Sequence, residues 1–211
     1  KKGKGKGKGK EPKESGDDFE KRATKSAAIK AKPAEVIATP DGSGADLQSA
    51  GTLEAIALYK KLLAKFPNYD RNDQVLYQLS RAYEEIGQVE EAMKVMNRIV
   101  KDYPKSRYFD EIQFRRGEYY FTRKKFLDSE DAFKSIVEMG TGSSYYELAL
   151  YKLGWTFYKQ ELYEESLHRF VGVLDYKIKT GYDFERPKDT ADEKRVEDTY
   201  RVVSLAFSNL G

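Results

Sequence analysis

The feature that most constrains this chain is a repeat with a period of 37 residues. Tyr83, Tyr120 and Phe157 stand 37 residues apart, as do Val89, Phe126 and Tyr163, and Met96, Phe133 and Phe170. Ser80, Gly117 and Gly154 put a small residue in step with them, and Pro67 precedes Pro104 by the same interval. Self-similarity at a period of about 20–50 residues marks a stacked repeat, in which each unit buries its apolar face against the next. Within the stretch Asp73 to Ser106, Leu76, Leu79, Ser80 and Tyr83 form one helical stripe and Ala92, Met96 and Ile99 form the facing one. Gly87 stops the first helix, because a residue without Cβ enters the left-handed region at no steric cost. Pro104 ends the second, having no N–H to give the helix ladder. The predicted fold is an all-α solenoid of antiparallel helix hairpins at 73–106, 110–139 and 144–178, with half-repeats at 52–67 and 191–211.

With these residues in view, the chain resembles the tetratricopeptide repeat family. Leu150-Tyr151-Lys152-Leu153-Gly154-Trp155-Thr156-Phe157 follows that family's first-helix pattern, and Ala92, Met96, Ile99 and Pro104 follow its second. The resemblance covers roughly residues 53–211, with a period slightly longer than the usual one of about 34 residues. That longer period, with YPKSRYFDEIQFRRGEYYF at 103–121, is similar to the repeats of bacterial cell-envelope proteins. These include the lipoprotein subunit of the outer-membrane β-barrel assembly machine. The resemblance implies a non-enzymatic scaffold for a protein or peptide partner, on the periplasmic side of a bacterial envelope, with a lipid anchor upstream of Lys1.

Composition narrows the other classes. Residues 1–51 carry 12 Lys/Arg against 8 Asp/Glu, and the remainder 26 against 27. The repeat region is therefore close to neutral, which argues against a broad nucleic-acid footprint. Cysteine is absent, which removes disulfides, thiol nucleophiles and Cys-based metal sites. No apolar run is long enough to span a bilayer. Lys1 to Lys10 alternates Lys with Gly and cannot bury anything, so residues 1–51 are expected to form a disordered basic tail and linker. Such a tail is expected to be protease-sensitive and dispensable for helicity, and its one further use would be to tether the chain to an anionic surface or nucleic acid. A short helix within Asp18–Lys32 is the exception the pattern allows. Phe19 is the one aromatic before Tyr59.

Order is expected from Thr52, an N-cap before Leu53, since Pro40, Gly42 and Gly44 make 36–50 a poor helix. Capping boxes are expected at Ser144 with Glu147 and at Thr190 with Glu193. The loop 179–190 inserts thirteen residues into the rhythm, since Phe157 to Phe207 spans 50 rather than 37. It offers Tyr182, Phe184 and Arg186, residue types that anchor interfaces, or else it is a plain solvated connector. In the last helix Val202, Leu205 and Ala206 are expected to lack a covering neighbour, Gly211 falling where a turn into another helix belongs. An intact protein that continues, or a second chain, is the expected cover.

No catalytic constellation is legible, and no cofactor or metal site is expected. His168, the only histidine, sits on an outward helical face. Glu84-Glu85, Glu90-Glu91, Glu130-Asp131 and Glu164-Glu165 flank hairpin turns at corresponding places, as a repeated solvated face would. In tetratricopeptide arrays the first helices line the concave face, and by that register one column holds Tyr77, Phe114 and Tyr151, then Arg201. The adjacent column holds Arg81, Glu118, Trp155 and Leu205, with Phe121 and Tyr158 one turn on. Aromatics between Arg and Glu suit an extended or helical peptide, rings supplying area and charges setting register. On this reading the five rings Tyr77, Phe114, Tyr151, Trp155 and Tyr158 share one partly accessible face. The competing reading packs them between hairpins, in an architectural subunit that docks through its open array ends.

Overall fold

A computed structural model of the protein describes residues 14–25 and 44–210, the side chains of 44–50 excepted. Helix α1 (Gly16–Ala23) stands apart in sequence, and α2 (Gly44–Lys65) opens the array. Three hairpins follow: α3 (Asn72–Glu85) with α4 (Val89–Asp102), α5 (Phe109–Thr122) with α6 (Phe126–Glu138), and α7 (Tyr146–Lys159) with α8 (Tyr163–Lys179). Helix α9 (Thr190–Leu210) closes the described residues, among which no strand occurs. Each helix packs on the one before it and the one after it from α2 to α9. The all-α solenoid expected from the 37-residue period is the fold observed.

Each hairpin turns on one left-handed residue: Gly87 (φ +74°), Lys124 (φ +58°) and Glu161 (φ +62°), each 37 residues after the last. The next amide reaches back to close the turn, from Gln88 to Tyr83 O (2.8 Å), Lys125 to Tyr120 O (2.9 Å) and Leu162 to Phe157 O (3.0 Å). These bonds satisfy carbonyls that a helix end would otherwise leave bare. Successive hairpins are latched at their edges, Ser106 Oγ donating to Asp73 (2.6 Å) and Ser143 Oγ to Asp110 (2.7 Å). At the third joint the equivalent of Asp110 is Glu147, and it takes Lys177 (2.9 Å) and Arg195 (3.5 Å) instead.

The hairpin crossing explains the small residues in the repeat. A Cβ on Gly117 would lie 2.6 Å from the Phe133 ring, and one on Gly154 would lie 2.9 Å from Phe170. In the first hairpin the equivalent positions hold Ser80 and the unbranched Met96, both buried. Gly117→Ala should therefore cost about 1–3 kcal/mol by overpacking, read from the midpoint of urea unfolding. Phe133→Met added to it should recover most of the loss. A Gly117→Ala chain as stable as the original would show that the crossing relaxes freely.

Several local expectations need correction. Of the tail and linker expected over 1–51, two parts are helical. One is α1, at Gly16–Ala23, overlapping the short helix allowed within Asp18–Lys32, with Phe19 wholly buried against the array. The other is 44–51, the first turns of α2; residues 1–13 and 26–43 lie outside the described residues. Helix α2 starts at Gly44, so Thr52 is a buried position inside a helix and not its cap. The breakers Pro40 and Gly42 precede the helix, and the cost of Gly44 and Gly51, about 1 kcal/mol each at most, is absorbed by packing on α3. Neither capping box forms as expected. Glu147 is drawn away into ion pairs with Lys177 and Arg195, and Asp189 caps α9 in place of Thr190, its Oδ1 accepting from Ala191 N (2.7 Å) and Asp192 N (3.0 Å). On α9 the uncovered side is the opposite one. Val202 and Ala206 are fully buried and Leu205 half-buried, while Tyr200, Phe207 and Leu210 are at least half exposed.

A candidate peptide groove on the first-helix face

The first helices α3, α5, α7 and α9 carry the two predicted columns, but the columns do different things along the array. Tyr77 is 8% exposed and stacks on Tyr108, ring centroids 4.0 Å apart and 11° from parallel. Its hydroxyl donates to the Glu111 carboxylate (3.0 Å), whose own affinity for a proton is raised by burial. Phe114 is fully buried between Phe133 (5.4 Å) and Tyr145 (5.3 Å). These two rings fill joints between hairpins, so the expectation of a partly accessible face fails for them. Arg81 lies 3.9 Å from Glu111 and within 6 Å of the Tyr77 ring, set into the same joint.

At α7 and α9 the columns open onto something else. Tyr151 packs edge-on to Phe170 (5.7 Å) and Trp155 (6.4 Å). Trp155 meets Phe170 (5.7 Å), Tyr158 (5.4 Å) and, across the groove, Phe19 of α1 (5.8 Å). Trp155 and Phe19 are both fully buried and Tyr151 is 5% exposed. The expected partly accessible face therefore fails for Trp155 and Tyr151 as well, and Tyr158 alone of the five rings is half-buried. The C-terminal end of α1 is gripped through its carbonyls, Tyr151 Oη donating to Ala23 O (3.3 Å) and Lys152 Nζ to Thr24 O (3.2 Å). Burial pushes the Tyr151 hydroxyl up to about 12, which keeps it a neutral donor at ordinary pH. Lys152 also pairs with Glu118 of α5 (3.0 Å). At the other end Arg201 spans the Glu14 carboxylate (2.8 Å) and carbonyl (3.0 Å) and lies over the Phe19 ring at 4.0 Å. Arg22 makes a two-pronged contact with Asp198, both bonds 2.8 Å, and its proton is held more tightly by that contact and by Glu14. Lys159 pairs with Glu20.

Of the predicted residues, Tyr151, Trp155, Tyr158 and Arg201 therefore surround one helical segment, with Glu118 behind them. Tyr182, Phe184 and Arg186 do not join them. Tyr182 is half-buried under the Lys177 ammonium (4.9 Å), with Phe184 against it (4.9 Å), and Phe184 and Arg186 face outward. Sequence reasoning missed Lys152, Lys159 and Asp198. Lys152 had a weak signal, since it follows the cation Arg115 by 37 residues. Among the described residues no group of His, Cys, Asp or Glu is placed to hold a metal, and no helix is long and apolar enough to cross a membrane. His168 is exposed.

Comparison with known proteins bears on the fold. Residues 52–111 match the family model of the tetratricopeptide repeat. A crystal structure of a Podosopora anserina protein described as a putative kinesin light chain with nearly identical TPR-like repeats superposes with a TM-score of 0.56. It is 16% identical over 77% of this chain and 85% of its own. The protein is built as a tetratricopeptide-like solenoid. A point variant of the same Podosopora protein gives a TM-score of 0.57 at the same identity and coverage. A MamA RS-1 double mutant is 17% identical over 78% of this chain and 89% of its own, with a TM-score of 0.49. No curated protein matches the chain. Solenoids of this kind generally mediate protein–protein interaction, and on the first-helix face of α7 and α9 this one seats its own α1.

Proposed function

We propose that the protein is a non-catalytic interaction scaffold that takes a short helical segment of a partner protein between α7 and α9, in a bacterial cell-envelope assembly. The observation that carries the groove is Phe19: a helix with no place in the repeat order is seated there, its one large apolar side chain fully buried on Trp155. A single aromatic anchor within a rim of charges is the anatomy of a peptide interface. The envelope assignment is supported by the long repeat period and the 103–121 stretch, as a resemblance. A second reading has its own support. Tyr200, Phe207 and Leu210 are 53%, 62% and 50% exposed along one side of α9, the side on which a following helix would pack, and would suit a docking subunit.

One capture experiment separates the two. The unmodified chain, a Lys159→Glu/Arg201→Glu chain and a Phe207→Glu chain are each offered an envelope extract of the source organism, with circular dichroism confirming the fold. The groove reading expects a specific partner retained by the original and by Phe207→Glu and lost from Lys159→Glu/Arg201→Glu. Partners that survive the groove change but are lost with Phe207→Glu would overturn it in favour of docking through α9.

A further inference from the structure

The connectivity of α1 is at odds with that of the other described helices. From α2 to α9 every helix packs on its neighbours in sequence, as a repeat array requires. The hydrogen bonds of α1 to α7 and α9 instead join residues 128 to 187 positions apart. Eighteen residues, 26–43, connect α1 to α2, which packs on α3 near the opposite end of the array. An eight-residue helix is not stable alone in water, so the order of α1 is conferred by the groove.

The groove also has a place for it that the other joints lack. Tyr77 is closed by Tyr108 and Phe114 by Tyr145, rings 37 residues apart that arrive just before the next first helix. At the third joint the thirteen-residue insertion makes Arg195, already inside α9, the equivalent residue by register, and Arg195 is engaged with Glu147 and Asp192. Tyr151, the equivalent of Tyr77 and Phe114, is left without the ring that the array supplies elsewhere. From outside the array Phe19 fills the neighbouring place, its ring packed on Trp155, which in turn meets Tyr151.

We propose that residues 14–24 are a tethered stand-in for the ligand, so that the groove is self-occupied and a partner must displace α1 to bind. The proposal rests on the peptide-binding reading above and specifies its ligand. The segment defines the chemistry: a short helix with one Phe, a carboxylate beyond its N-terminal end for Arg201, and a further carboxylate directly after the Phe for Lys159. An Arg three residues after the Phe meets Asp198, and a small residue follows it where the helix ends against Tyr151. The contacts on α1 are one anchor and a set of charge pairs, the composition of an exchangeable interface and not of a core element. A competitor on a tether acts at a high effective concentration, often millimolar, and lowers the apparent affinity of any external peptide accordingly.

The test uses the full chain and a fluorescent synthetic peptide of residues 14–25. By anisotropy, Phe19→Ala in the chain should bind the peptide at least tenfold more tightly than the unmodified chain, because its own segment no longer competes. Adding Arg201→Glu to Phe19→Ala should abolish that gain, which places the peptide in the groove. In parallel, unlabelled peptide at saturation should accelerate amide exchange at 16–24 of a ¹⁵N-labelled unmodified chain while leaving α5 protected. Equal affinity of the unmodified and Phe19→Ala chains, or exchange at 16–24 that the peptide does not alter, would overturn self-occupancy and make α1 a fixed part of the fold. That failure is distinct from failure of the scaffold reading, which is decided by partner capture and not by this peptide.

Discussion

Trp155→Ala should lower the stability of the chain by about 3–5 kcal/mol and, in the same variant, release α1. Trp155 is the largest fully buried side chain, and it faces two ways. Inward it packs on Phe170 of α8 and holds the third hairpin together; outward it is the floor on which Phe19 rests. Removing it opens a cavity that the rigid hairpin cannot fully collapse, which is why the loss exceeds simple transfer of the side chain. Phe133→Ala provides the comparison, since Phe133 is equally buried but belongs to the cluster around Phe114, away from α1. Both variants should unfold at lower urea concentration. Only Trp155→Ala should bring amide exchange at 16–23 up to the rate of an unprotected segment. Protection of α1 in Trp155→Ala equal to that in Phe133→Ala would mean that the charge pairs alone hold the segment.

The repeat made the fold legible because a solenoid is specified locally. Tyr83, Tyr120 and Phe157 recur at one interval and pack at one kind of place, and the small residues Ser80, Gly117 and Gly154 mark where second helices cross. Little long-range has to be inferred when each helix from α2 to α9 packs chiefly on its sequence neighbours. The same logic explains what was not legible. Tyr77, Phe114 and Tyr151 are equivalent by register, and sequence cannot tell a ring that fills a joint from one that lines a groove. That difference depends on whether the equivalent position of the next unit holds an aromatic, as Tyr108 and Tyr145 do and Arg195 of α9 does not.

Helix α1 was legible only as a helix. Ser15 caps it through its side chain, Asp17 and Asp18 stand in the first turn and Arg22 in the last, all favourable to the helix dipole. Its destination was not. A lone Phe in a polar stretch has no periodic partner to point at, and the contacts it makes lie more than a hundred residues away. The capping box at Ser144 failed for a related reason: Lys177 and Arg195 have the stronger hold on Glu147, and only the folded array brings those cations near.

Glu118→Leu should be as damaging as the loss of Trp155, although it removes no ring. Its carboxylate lies 3.0 Å from Lys152 Nζ, with the side chains 11% and 3% exposed, so the pair is withdrawn from water at the junction of α5 and α7. Replacing the acid by an apolar residue leaves the Lys152 ammonium buried, with the Thr24 carbonyl at 3.2 Å as its remaining hydrogen-bond acceptor. Breaking a buried pair from one side typically costs about 3–5 kcal/mol, because the surviving charge keeps its desolvation penalty. The pair itself is worth far less than that, since two charges brought out of water recover in mutual attraction little more than they lost. Lys152→Met in the Glu118→Leu background should therefore restore stability to within about 1 kcal/mol of the original. The double variant would still differ from the original in one respect. Lys152 is also the donor to the Thr24 carbonyl that ends α1, so the segment 14–24 should exchange faster even where global stability has returned. Urea unfolding of the four chains gives the coupling, and amide exchange at 16–24 gives the grip on α1. Losses that simply add across the two substitutions would show that Lys152 and Glu118 are each satisfied independently, and that α1 is held without them.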